Sequence, residues 1–433
     1  MTARDFLSRY RYDERLVTGA FYPQAPVSID SGDKVGVVLM NHGGPERAEE
    51  LESFLYNRLM DPAVFTLPVP MALRERFCRL LARRQARTLR KDYEQVGGGN
   101  PINRYTREQA AVLQQRLNDR FAALTGATFR TYIAMRYGQP ASVDVAQQMK
   151  RDGIDKVVLL PLHPHYSKAT TGSSLAYWHA LEAEGTIPSW PTALIYEYAA
   201  HPKLIQAISE RIDEGLQRFP VHSRAEVPLV FVAQGTARKD LAKHGDPYCC
   251  LVNSTVQQVM EYRGEQDSGR AFRVSFHGPS RVARSLGPGT TDVLEALADE
   301  GERTVLVVPI SLVSDHMDTA HGLDIALREE AYGLGIEHFE VTNGLNCHPL
   351  FIEALAECVA AQVVPTDVAR VDGADVLPTA IPTLPRYQAG QRAVRCATCS
   401  HACEARDWSN QPAVFVPAPR YPLPTEEQAQ RAA

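Results

Sequence analysis

Polar side chains of a few chemically useful types follow the apolar runs of this chain. His42 comes after VGVVLMN, Arg136 and Tyr137 close YIAMRY, and His163, His165 and Tyr166 follow KVVLLPL. Later, Gln234 ends VPLVFVAQ, His277 ends FRVSFH, and Asp315, His316 and Asp318 come after TVLVVPI. Imidazole and carboxylate are the groups that exchange protons near neutral pH. One histidine after a strand would be ordinary, but five drawn from two parts of the chain predict a shared cleft. Asp315, Asp318 and His321 are three apart, which places them on one helix face; the plainer alternative is a polar face in solvent. Gln234 is the odd member, because an amide hydrogen-bonds but takes no proton near neutral pH.

The elements that must position these groups are legible as six apolar runs: 34–41, 131–137, 156–162, 227–233, 272–277 and 304–310. Rich in Val, Leu and Ile and without polar alternation, they predict parallel strands covered on both faces. Helical patterns such as 106–124 lie between them, so the fold class is α/β. RDGIDKVVLLPLHPHYS (151–167) is echoed by DEGERTVLVVPISLVSDH (299–316). The echo predicts two similar halves, 34–200 and 201–365, after an N-terminal segment 1–33 and before a Pro- and Ala-rich linker and tail, 366–433. In open parallel sheets ligands bind beyond the carboxyl ends of the strands, where the polar set falls. GGGNP (97–101) precedes a helix on which Thr106 is the expected N-cap with Gln109 completing a capping box. No P-loop and no GxGxxG after a strand is present, so nucleotide binding is unsupported.

Composition narrows the classes. The 433 residues carry 46 Lys and Arg against 51 Asp and Glu, a formal charge of −5, which argues against nucleic acid as an obligate partner. The first twenty residues lack an apolar stretch of signal-peptide type, and no run of 18 apolar residues occurs. A cytoplasmic protein is expected, with peripheral contact at the inner membrane left open, as either monomer or homodimer. Of eight cysteines, Cys396, Cys399 and Cys403 cluster as CATCSHAC; clustered thiols in such a chain more often bind metal than pair as disulfides.

VGVVLMNHGGPE, YEQVGGGNPINRYT, YIAMRYGQP, LPLHPHYSKATTGSSL, LGPGTTDVL and VPISLVSDHMDTAHGLDI occur in the order seen in ferrochelatases, and the chain resembles that family over 34–364. The resemblance implies two Rossmann-like, chelatase-like halves clamping a macrocycle. It implies insertion of Fe2+, as substrate, into protoporphyrin IX or coproporphyrin III in haem biosynthesis. Two pyrrole protons must leave, the ion must shed water, and the ring must bend, with binding at its rim supplying the distortion. Gln234 stands where the family has a histidine, and His277 where it has a glutamine. Asp318 replaces a glutamate, and Gly322 a second one. The implied roles are Gln234 and His277 at the proton-abstracting and metal-meeting position, with Asp318 as carboxylate partner and Asp315 and His316 in support. Arg136, Tyr137, Tyr166, Thr170, Thr171 and Ser173 would bind porphyrin, with His42 beneath the ring. Some members hold a 2Fe-2S cluster on C-terminal cysteines, which implies Cys396, Cys399 and Cys403 as ligands. Lys168 occupies the place of the fourth, leaving His401 or another thiol, and zinc or free thiols remain alternatives. A chelatase for another metal or tetrapyrrole, and a non-catalytic porphyrin- or haem-binding protein, also stay open.

Overall fold

The computed structural model describes residues 5–7, 10, 13–23, 25–65, 67–236, 246–278 and 286–366. Ten strands fall within them. β1 is Val27–Ile29, β2 Lys34–Asn41, β3 Thr128–Met135, β4 Lys156–Pro161 and β5 Thr192–Leu194. β6 is Leu229–Gln234, β7 Phe272–His277, β8 Thr304–Pro309, β9 His338–Val341 and β10 Val363–Pro365. Two parallel four-stranded sheets run in the orders β3-β2-β4-β5 and β7-β6-β8-β9, and β1 pairs with β10. The second sheet repeats the order of the first, as the echoed sequence requires. The expected α/β class, with parallel sheets flanked by helices, holds.

Alternate residues along each central strand explain the continuous apolar runs. Val37 and Leu39 of β2, Val158 and Leu160 of β4, Phe231 and Ala233 of β6 and Leu306 and Val308 of β8 enter one common core. Their neighbours Val38 and Met40 face a second cluster, and Val230, Val232, Val305 and Val307 a third. Each sheet is covered on both faces, so both sides of every strand must be apolar. Helices Ile102–Leu117, Pro202–Leu216 and Pro349–Ala360 pack between the halves. Lys203 pairs with Glu357 at 2.8 Å, and Arg116 with the buried Glu353.

Two local expectations are corrected. Thr106 is no N-cap: the helix starts at Ile102, and the Thr106 hydroxyl lies inside it, donating to the Ile102 carbonyl at 2.7 Å. Asn100 Oδ1 instead accepts from Ile102 N at 3.2 Å, so Asn100 does the work at that end. Gln109 closes no capping box either; its amide crosses to the second half, donating to Ser314 Oγ at 2.9 Å and Asn346 O at 2.8 Å.

Candidate active site

The carboxyl ends of β2, β4, β6 and β8 open onto a cavity. His42, His163, Gln234, Ser311, His316 and Asp318 line it, roofed by Leu51, Phe54 and Arg58 from helix Leu51–Met60 and Leu89 and Tyr93 from helix Met71–Gln95. Met317 reaches from the second half to pack with Leu51 and Tyr93, closing the roof onto the floor. A second chamber, lined by Phe6, Asp61, Arg136, Tyr137 and Tyr177, shares Phe54 with the first.

Three of the five expected histidines meet in the cavity. The His42 ring lies 4.7 Å from that of His163 and stacks on Tyr137 at 5.6 Å and 16°. Burial, then the neighbouring His163, holds His42 well below the ordinary imidazole range. Burial brings His163 down to about 4. His316 accepts from Thr319 N through Nδ1 at 3.2 Å, so in the neutral ring the proton sits on Nε2, 3.7 Å from Asp318 Oδ2. His165 is elsewhere: its Nε2 meets Thr255 Oγ1 at 2.8 Å in the core, where burial depresses it to about 3.

Gln234 and His277 are register partners at the ends of adjacent parallel strands β6 and β7, which puts their side chains on one face of the sheet. Gln234 lines the cavity. His277 is not among the cavity-lining residues; it is half-buried, with Nε2 against Gly322, four residues beyond Asp318. Burial lowers its pKa, while the carboxylates of Asp318 and Glu330 pull the other way. Asp318 is exposed at the start of a π-helical stretch, Asp318–Ala326; such stretches recur at functional sites.

Asp315 has a different task from Asp318. Its carboxylate accepts from Gly344 N at 3.0 Å, Asn346 Nδ2 at 2.7 Å and Thr319 Oγ1 at 3.3 Å, tying the loop after β8 to the one after β9. His321 turns away as well, its Nε2 2.9 Å from Gln95 Oε1 at the end of the roof helix. The proposed common helix face of Asp315, Asp318 and His321 is therefore split among three jobs.

Among the ring-binding candidates, Arg136 and Tyr137 line the second chamber through a residue that sequence reasoning missed. Asp61, ending helix Leu51–Met60, accepts from Arg136 Nη2 at 2.7 Å, from the Tyr137 hydroxyl at 2.9 Å and from Ser173 Oγ. The Arg136 guanidinium also lies over Tyr177 at 4.3 Å and Phe6 at 5.2 Å. Tyr166 is a correction: it is fully buried, stacked on Tyr196 at 4.0 Å, with its hydroxyl donating to Leu16 O at 2.7 Å. Thr171 is fully buried too, and the Thr170 hydroxyl turns to the Ser167 carbonyl. The segment around Leu16 lies over that loop so closely that a methyl on Gly172 would stand 2.3 Å from Leu16 O. Sequence reasoning also missed Arg58, a cation in the cavity roof with no carboxylate partner among the described residues.

Cys396, Cys399, Cys403 and His401 lie outside the described residues. Lys168, at the place of a fourth cluster ligand, is buried, and its backbone N–H donates to Asp246 at 2.8 Å. The five described cysteines are free thiols, four of them buried.

Comparison with known proteins identifies the family. The family model for ferrochelatase matches residues 34–363. A ferrochelatase of Geotalea daltonii is 38% identical over 327 residues, covering 76% of this chain and 97% of that protein. One from Synechococcus elongatus is 35% identical over 362 residues, covering 82% and 88%. Among solved structures, SirB from Bacillus subtilis with Fe3+ overlaps with a TM-score of 0.43 at 12% identity, over 76% of this chain and 95% of that one, a likeness too loose to argue from.

Proposed function

The chain belongs to the ferrochelatase family, and from that premise we infer that it inserts ferrous iron into a porphyrin in haem biosynthesis, as a lyase-type metal chelatase. Fe2+ and the porphyrin enter as substrates; haem and two protons leave. The open question is which group accepts the pyrrole protons, since Gln234 has no basic nitrogen.

We assign that role to His277, and the carrying observation is its pairing with Gln234 across β6 and β7. Adjacent strands are about 4.8 Å apart, within the span of an imidazole side chain. The rival imidazoles are poorer bases: His42 and His163 are depressed by burial, and the Nδ1 lone pair of His316 is engaged by Thr319. Burial lowers His277 as well, but the carboxylates of Asp318 and Glu330 oppose it there. Gln234, His277 and Asp318 would present an amide oxygen, an imidazole and a carboxylate to the incoming ion, a mixed set that can hold Fe2+ and release it. His316 stands beside Asp318, its Nε2 3.7 Å from Oδ2, close enough to steady the carboxylate without a direct hydrogen bond. His42, backed by Tyr137, would lie beneath the ring, and Arg58 would meet a ring carboxylate.

Anaerobic incubation of the purified protein with protoporphyrin IX or coproporphyrin III and Fe2+, Co2+ or Zn2+ tests the reading. Iron insertion supports it. Exclusive use of another metal makes the protein a different chelatase, and tight porphyrin binding without turnover makes it a pigment holder. His277→Ala should slow iron insertion about 10²–10⁴-fold, the usual worth of a general base; unchanged turnover removes His277 from the mechanism.

Two finer features accompany this function. Peripheral membrane contact would use helix Met71–Gln95, which exposes Leu73, Phe77 and Leu80 at i, i+4, i+7 spacing among eight Arg or Lys and three acidic residues. No described helix is long and apolar enough to cross a membrane. Cys396, Cys399 and Cys403 would hold a 2Fe-2S cluster, on the strength of their spacing and the family likeness alone.

A further inference from the structure

We propose that Gly322 is a positioning residue whose missing side chain makes the room in which His277 lies beside the Asp318 helix. The inference rests on the reading of His277 as the base. Gly322 follows Asp318 by four residues, one turn on and on the same face. A methyl group at Gly322 would stand 3.0 Å from His277 Nε2, 3.8 Å from its Cδ2 and 3.9 Å from Asp318 Cβ. No backbone need explains the glycine: it is not among the positions of positive φ, and it sits inside the helical stretch Asp318–Ala326. Inside a helix glycine costs about 1 kcal/mol relative to alanine. What it provides is space, and the atoms occupying that space belong to the imidazole.

A methyl at 322 would shift the ring by a few tenths of an ångström and a branched side chain by more, disturbing the placement in which His277 and Asp318 would serve the same ion. Position 322 therefore governs how far His277 reaches toward the cleft without itself touching substrate.

Iron-insertion kinetics on Gly322→Ala, Gly322→Val, His277→Ala and the double variant His277→Ala/Gly322→Val test this, with melting temperatures as a check on folding. Gly322→Ala should melt at or above wild type and lose several-fold in kcat. Gly322→Val should approach the loss of His277→Ala, on the order of 10²-fold, with porphyrin KM little changed. In the His277→Ala background the valine should cost nothing further, because the ring it displaces is gone. Full turnover by Gly322→Val, or an equal loss with and without His277, overturns the proposal while leaving His277 as the base. Wild-type turnover by His277→Ala removes the base itself, and the proposal with it.

Discussion

Asp61→Asn would remove the charge from a carboxylate that closes four contacts at once. Its oxygens accept from Arg136, Tyr137 and Ser173, and Oδ1 also takes the Ala63 N–H at 2.8 Å. The Asp61 side chain is 1% exposed and that of Arg136 8%, so water cannot replace either partner. Removing one member of a buried pair costs about 3–5 kcal/mol, because the other charge is left stranded. Asparagine keeps one acceptor oxygen but turns an N–H toward a neighbouring donor, so the lower figure, about 3 kcal/mol, applies. At roughly 2 °C per kcal/mol, the low end for large chains, melting should fall by about 6 °C. The effect should spread, since Tyr137 backs His42 in the cavity, and porphyrin KM should rise together with the loss of stability. Thermal melts and porphyrin titrations would be run on Asp61→Asn, Arg136→Met and the double variant. With both charges gone no ion is stranded, so the double variant should melt above Asp61→Asn. Melting within about a degree of wild type for Asp61→Asn, or simple addition of the two single losses, would refute the account of this network.

Acid should destabilise the fold ahead of ordinary carboxylate titration. His163 and His201 are held down to about 4 and His165 to about 3 by burial, so the unfolded chain binds more protons as pH falls below 6.5. Their stabilisation is complete above that pH and disappears as pH drops through the folded values, each on the order of 3 kcal/mol. Melts from pH 7 to 4 should show it, and His165→Gln should flatten the slope; an unaltered slope counts against the burial argument. The protein should sediment with anionic vesicles at low salt, and Leu73→Asp with Leu80→Asp should abolish this without lowering the melting point. Failure of the wild type to sediment would dispose of the membrane proposal. Anaerobically purified protein should be brown, with visible absorption lost in Cys399→Ser; a colourless, zinc-loaded preparation would rule the cluster out.

The long strands were legible because burial on both faces leaves an uninterrupted apolar signal. β5 and β9 were not, since TAL and HFEV are too short to rise above the surrounding loops. His42, His163, Gln234 and His316 were legible as cleft residues from their place after strands. Asp61, Arg58 and Tyr93 were hidden on polar helices inserted between β2 and β3, whose composition reads as surface. Asp61 stands at a helix end just before Pro62, where an aspartate looks like an ordinary turn residue. Tyr166 was misplaced for a different reason. Its motif fits a binding loop, but the local pattern carries no sign that the backbone at Leu16 folds back over it. His277 was legible at the end of its strand; that its ring turns toward Gly322 was not, because the two positions are forty-five residues apart in sequence.

Because the core filled by Phe231, Val158 and Leu306 is common to both sheets, the halves cannot part like a clamshell. Each such side chain dragged into water would cost about 1.5–3 kcal/mol, and a wide opening would expose many together. The seam between roof and second half is a lighter closure, a small apolar contact at Met317 and the hydrogen bond from His321 to Gln95, so a planar guest that needs more room would find it there. That seam lies along the helix that would rest on a bilayer, so a guest dissolved there would reach it without crossing open water.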